Sequence, residues 1–321
     1  MPHASQLSFL GIAKEVTPGT GVPATAYIPV SAPTSKDALT MLPDKGLRGA
    51  MVDEYDEIAG VKSGTVDFGG DVFPDTVPWV IAGILGDVVT TGASAPYTHV
   101  ISTLNTSDGQ PKSYSLTDYY STGTRQYPGA KFSDFGLKFS ADGMLTYTAK
   151  AVTYPSATVT KPTSSFTAVP PLAGWVGAVT IGGASTVVVL DGEINLKRTV
   201  TVIDAVDGTQ APAALWSGPV SADGKMTVVM DDDAELLRFL NNTATTLSVN
   251  YQQGSGSSAV QVKFDLSKVK YSAAEIGRSK DYVELAITFK GLANVTDIGA
   301  SGGYSPVKAT IQNAVTTGTY A

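Results

Sequence analysis

The sequence predicts a mainly β protein: an antiparallel β-sandwich or barrel with one or two flanking α-helices and long extended arms. Two observations carry this. Apolar and polar residues alternate with period two in many short segments, and only two stretches have helical spacing. In Val260–Ser267 the alternation runs without a break. Val283, Leu285, Ile287 and Phe289 alternate with Glu284, Ala286, Thr288 and Lys290, and Phe135, Leu137 and Phe139 with Gly136 and Lys138. Leu145, Tyr147 and Ala149 follow the same rule, which describes strands with one buried and one wet face. Thr199–Asp204, Lys225–Met230 and Thr245–Tyr251 add β-branched runs between Gly, Asp and Asn punctuation.

The first helix is expected to begin near Asp75 as N-cap, with Pro78 in its first turn. Val77, Ile81, Ile84 and Leu85 fall on one face, and Gly86 is the stop. The second is expected to start at Asp231-Asp232-Asp233, where acids complement the helix dipole, and to bury Leu236, Leu237 and Leu240. The triple Asp lacks the spacing and the Gly of a calcium-binding EF-hand loop, so capping is the better reading.

An internal echo spans the chain. Ser140-Ala141-Asp142-Gly143 recurs as Ser221-Ala222-Asp223-Gly224, and each Asp-Gly reads as a tight hairpin turn. Thr65–Phe68 leads towards the first helix as Thr227–Met230 leads towards the second. Two related halves of this size are expected to pack as one domain. The expected division is an N-terminal arm over 1–35, a single β domain over 36–297 and a C-terminal arm over 298–321. A long loop near 36–60 carries Leu39, Met41, Leu42, Leu47, Arg48 and Met51, and its exposed Leu and Met residues make sense if a partner covers them.

Composition excludes much. With 43% hydrophobic and 16% charged residues the 321-residue chain can build a large core and is not a disordered polymer. No apolar run approaches the ~20 residues that span a bilayer, so no membrane association is expected. Met1-Pro2-His3-Ala4-Ser5-Gln6 lacks a basic leader region. Without Cys there is no disulfide, thiolate nucleophile or Cys-ligated metal. Net charge is −7, and the window Asp53–Asp87 holds all of the excess: eight acids (Asp53, Glu54, Asp56, Glu57, Asp67, Asp71, Asp75, Asp87) against Lys62 alone. These read either as a solvated surface or as a patch presenting a negative field.

Chemistry has no foothold. His3 and His99 are the only histidines, and no Gly-x-Ser-x-Gly elbow accompanies them. Gly254-Ser255-Gly256-Ser257-Ser258 and Gly182-Gly183-Ala184-Ser185 lack the Lys-Ser/Thr of a phosphate loop and read as hairpin turns. No pair of carboxylates stands out as a glycosidase dyad. The expectation is a protein with no catalytic residues, cofactor or metal.

Leu10-Gly11-Ile12-Ala13-Lys14-Glu15-Val16-Thr17-Pro18-Gly19-Thr20, followed by Pro23–Val30, resembles the start of major tail (tail tube) proteins of long-tailed siphophages. The Pro74–Trp79 helix start, Glu193–Arg198, Lys225–Asn241 and Ala286–Lys290 are similar to later parts of that family. The resemblance implies a tail-tube fold. Six copies would close into a ring, and rings would stack into a tube around a tape-measure protein. Tail terminator and distal tail proteins would cap its ends. The loop near 36–60 would reach a neighbouring subunit or ring. Double-stranded DNA would pass without specific binding, and the protein would reside in the virion tail after assembly in the host cytoplasm. On this reading Asp53, Glu54, Asp56, Glu57, Asp67 and Asp71 are candidates for the lumen or an inter-ring seam, where like charge would let DNA pass. The alternative is a non-catalytic β-sandwich for binding or adhesion.

Overall fold

The computed structural model describes residues 3–184 and 187–321. Strands β1 (Phe9–Lys14) and β2 (Ala26–Ile28) open the chain. A long hairpin, β3 (Thr34–Asp44) and β4 (Asp56–Asp71), leads into helix α1 (Val77–Leu85). Next come β5 (Gly86–Thr91), β6 (Tyr97–Thr103), β7 (Tyr114–Tyr119), β8 (Thr124–Ser140), β9 (Thr146–Thr153) and the short β10 (Ala157–Thr158). The second half holds β11 (Gly177–Ile181), β12 (Val189–Ile203), β13 (Ala214–Val229), α2 (Ala234–Leu240), β14 (Thr245–Gln253), β15 (Val260–Gly277), β16 (Glu284–Gly291) and β17 (Lys308–Asn313).

Neighbouring strands pair antiparallel. The large sheet runs β3-β4-β9-β8-β12-β13-β16 and ends on the second half of β15. A second runs β11-β14, first half of β15, β17-β6-β5. A small third layer is β2-β1-β7 with the first half of β8 and β10. Strands β8 and β15 are long enough to serve two sheets, and each changes partner near a register shift, at Phe132/Asp134 and Tyr271/Ala273. Such irregularities let a strand turn the corner of a sandwich.

One continuous core fills the space between the sheets. Phe135 of the large sheet stacks on Phe264 of the second, with centroids 6.0 Å apart and planes inclined by 23°. Helix α1 lies inside this core, all nine residues buried, so its expected amphipathic face does not exist. Gly83 lets Phe132 rest on the helix, since a Cβ there would stand 2.2 Å from the ring. Its start is closed by main-chain bonds from Thr76 and Val77 to the Phe73 carbonyl rather than by an Asp75 side chain. Gly86 ends it at φ +95°, as the sequence predicts.

Other expectations need correction. Residues 1–35 do not form an arm throughout. β1 lies between β2 and β7, and Leu10 and Ile12 are buried completely. Nor do residues 298–321: β17 lies between β15 and β6, Val307, Ala309 and Ile311 point inward, and Tyr320 is buried. β17 has a period-two pattern of burial, whereas β1 is buried on both faces from Phe9 to Ala13 and has no alternation to read. In α2, Leu237 and Leu240 are exposed, whereas Glu235 is buried and bonds Arg238 and the Tyr271 hydroxyl. Its cap comes from Asp232, whose carboxylate accepts the Ala234 amide at 2.8 Å.

Asp142-Gly143 does make the β8–β9 turn, but Asp223-Gly224 lies mid-strand in β13. The strand-to-helix parallel holds, because β4 runs into α1 as β13 runs into α2. Gly254–Ser258 joins β14 to β15 as a loop. Gly182-Gly183 makes a turn closed between Ile181 and Ala184; Ser185 of that segment, like Met1 and Pro2, lies outside the described residues.

Candidate assembly surface

The expected loop near 36–60 is a β-ribbon. Strand β4 pairs with the body of the sheet only from Gly64 onward, opposite Thr153 of β9. Beyond that point β3 and β4 have only each other as strand partners, through Leu39↔Lys62, Met41↔Ala59, Leu42↔Ile58, Pro43↔Glu57 and Asp44↔Asp56. Directly opposed residues share a face, so Leu42 and Ile58 occupy one side of the ribbon, and Leu39, Met41 and Ala59 the other. All five are exposed. An isolated two-stranded ribbon is marginal in water, and here both of its faces are apolar and uncovered by the chain itself.

The ribbon's tip is ordered by charge. Lys45 bridges Asp53 at 3.0 Å and Glu54 at 2.9 Å. These two carboxylates, Glu54 foremost, raise the Lys45 ammonium above its ordinary pKa. Arg48 pairs with Asp44 and lies over the Tyr55 ring, 4.7 Å from its centroid. Leu47 and Met51 stand fully exposed on this tip. The structure thus brings all six residues expected at a partner contact, Leu39, Met41, Leu42, Leu47, Arg48 and Met51, onto one projecting element. Ile58 and Val61 belong with them; the acidic stretch beside them hid their alternation.

The acids do not form one patch. Asp53, Glu54, Asp56 and Glu57 are on the ribbon, and Asp67 and Asp71 are on the solvent face of the large sheet. Asp87 is buried and accepts the Ser301 amide and hydroxyl, both at 2.8 Å. A single negative field over 53–87 is therefore absent.

The solvent face of the large sheet has its own order. One row across it reads Asp67, Lys150, Asp134, Lys197, each opposite the next on adjoining strands. Another reads Asp71, Thr146, Lys138, Glu193, Lys225. Between them run Thr148, Gly136, Asn195, Asp223 and Lys290. Lys197 bridges Asp223 at 3.3 Å, and Asn195 reaches the carboxylates of Glu193 and Asp223. Opposite charges placed across strands attract, and each Lys here has a carboxylate beside it. Strand-by-strand alternation shows where these residues face, but only the strand order shows that their signs alternate.

Among the described residues no group of three or more His, Asp or Glu side chains could hold a metal, and no helix is long and apolar enough to cross a membrane. His99 is buried between Thr90 and Asn313, 2.9 and 3.0 Å away, with no carboxylate bonded to it. A family model for phage tail tube proteins matches residues 5–291. No curated protein matches the chain.

Proposed function

The chain belongs to the phage tail tube protein family, and from that premise we propose that it closes with copies of itself into hexameric rings that stack as the tail tube, the conduit for DNA ejection. The family makes it a structural protein of the virion tail, in a class that is generally non-enzymatic. The observation that carries the finer reading is the ribbon. Its two apolar faces, Leu42 and Ile58 on one side and Leu39 and Met41 on the other, gain from burial only when another copy covers them.

The charge-alternating sheet face suits the wall of a DNA channel. Counterion release drives cations onto phosphate, and a Lys already beside a carboxylate has little to gain from that exchange. On this reading Asp67 and Asp71 belong to the channel wall, and Asp53, Glu54, Asp56 and Glu57 to the seam between copies. A tape-measure protein would fill the lumen during assembly in the host cytoplasm, with terminator and distal tail proteins at the two ends.

The test replaces residues 45–55 by a short turn, and separately makes Leu42→Ser with Ile58→Ser. Negative-stain microscopy should show tubes from the parent and isolated subunits from both variants, with unchanged thermal melting of the subunit. Tubes of normal yield and length from both variants would overturn the assignment.

A further inference from the structure

The ribbon has a support that its own strands do not provide. At Leu39/Met41 the ladder shifts register: Leu39 opposes Lys62, but Met41 opposes Ala59, so Gly60 and Val61 together stand against Thr40 and β4 carries one extra residue. A bulge of this kind bends the strand and exposes main-chain groups. The bend is tight on its other side too, because a Cβ on Gly60 would stand 3.0 Å from the Thr40 carbonyl.

Gln210 binds this bend. Its side-chain amide donates to the carbonyls of Ala59 at 3.1 Å and Gly60 at 2.9 Å, and its main-chain carbonyl accepts the Lys62 amide at 2.7 Å. Gln210 lies in the loop joining β12 to β13, roughly 150 residues along the chain. That loop is itself fixed. Asp207 accepts the Thr209 amide at 2.9 Å and its hydroxyl at 2.8 Å, and these bonds hold the Asp207 carboxyl below its ordinary pKa. Gly208 takes φ +82°, where a side chain would be strained. Further along, the Ala213 carbonyl accepts the Tyr154 hydroxyl at 3.3 Å.

We infer that Gln210 is a positioning residue: a strut from the β12–β13 loop that sets the angle at which the β3–β4 ribbon leaves the body of the protein. A two-stranded ribbon hinged at a bulge would otherwise swing, and a swinging arm must be ordered again each time it meets a partner. The strut's value to assembly rests on the reading of the ribbon as the contact between copies; its effect on the ribbon's angle does not.

The chain contains no Cys, so spin labels can be placed at will. Leu47→Cys on the tip and Lys290→Cys on the large sheet give a tip-to-body distance by pulsed electron resonance on the dilute subunit. Gln210→Ala, and Gln210→Asn with an amide one methylene too short to reach, should both broaden that distribution. The Lys62 amide keeps its main-chain acceptor in both variants, but with the side-chain bonds to Ala59 and Gly60 gone the contact is less firmly held. Amide exchange at Lys62 should quicken roughly fivefold, the equivalent of about 1 kcal/mol of lost hydrogen bonding. Global melting should stay where it was, and tube growth should slow. An unchanged distance distribution and unchanged Lys62 exchange in both variants would overturn the strut. A broadened distribution with normal tube growth would uphold the strut and count against the ribbon as the assembly contact.

Discussion

The Glu15 carboxylate accepts the main-chain amide of Gly129 at 2.7 Å, joining the first strand to the β7–β8 layer across more than a hundred residues. Glu15 is only 3% exposed, and Gly19, Ser113 and Ser115 complete its shell at 2.7 to 2.9 Å. Four donors surround one buried acid, so the opening Lys14-Glu15-Val16-Thr17-Pro18-Gly19 segment is an internal brace. A charge is tolerable in such a place only when its lone pairs are all used.

Glu15→Ala would leave two main-chain amides and two hydroxyls without their acceptor, and should cost about 3–5 kcal/mol. Glu15→Gln keeps one acceptor oxygen but turns an amide group towards the remaining donors, and should cost about 2 kcal/mol. Urea unfolding checks both. Equal stability of Glu15→Gln and the parent would show that the charge is irrelevant.

Gly224 accounts for the one turn that the sequence predicts and the structure lacks. An Asp-Gly pair between β-branched residues signals a hairpin, yet Asp223-Gly224 passes through the middle of β13. A Cβ at Gly224 would stand 2.4 Å from the Phe289 ring and 2.2 Å from the Glu193 carbonyl. The glycine is there so that Phe289, directly opposite on β16, can fold over the strand. Gly192 does the same for Phe139 on β8. Gly224→Ala should therefore destabilise the fold by about 2–3 kcal/mol through overpacking, whereas Gly143→Ala, in the true turn, should cost less than about 1 kcal/mol. Thermal melting of the pair separates packing from turn propensity. A larger loss at Gly143 would contradict this account.

The same distinction explains what else was legible. Period-two alternation located the strands because each has one dry and one wet face, and a glycine stop placed the end of α1 because Gly86 must take positive φ. Burial all round α1 could not be read, since it comes from two sheets closing on the helix from both sides. The projecting residues Leu39, Met41, Leu42, Leu47 and Met51 were readable as uncovered apolar material, with Arg48 among them. That they form a ribbon was not, because Pro43, Lys45 and Gly46 mimic a loop. Gln210 left no local signal, as its partners are main-chain atoms distant in sequence.

His99 couples stability to pH. Burial holds its imidazole below the ordinary histidine pKa, against the opposing pull of Asn313, and the Tyr320 ring closes over it at 4.8 Å. The unfolded chain takes up a proton near pH 6.5 while the folded protein does so only at lower pH. Stability from this group is therefore complete above about 6.5 and falls as pH drops below it, by up to about 1.4 kcal/mol per unit, until the folded state protonates too. Asp75 and Asp118, raised by burial, act in the opposite direction, since the folded state holds their protons to higher pH. The difference between parent and His99→Gln isolates the histidine. Chemical unfolding from pH 7.5 to 5 should show that difference shrinking with acid, and a constant offset would exclude the coupling.

Asp134 is the residue on which the charge pattern of the large sheet can be tested most cleanly, because it stands between Lys150 and Lys197 in register and faces solvent. Asp134→Lys would set three cations side by side, each unfavourable pair costing about 0.2–1 kcal/mol. It would also free Lys150 and Lys197 from the carboxylate between them. Three ammonium groups in a row, with only Asp67 and Asp223 left beside them, are what a passing phosphate backbone can exchange its counterions for. Asp134→Ala removes the carboxylate without adding a cation and separates loss of the pair from gain of a DNA-binding patch. Virions carrying Asp134→Lys should eject DNA more slowly, with the delay shrinking as salt is raised, while Asp134→Ala should stay close to the parent. If Asp134→Lys ejects at the parental rate at low salt, this face is not in contact with the moving DNA.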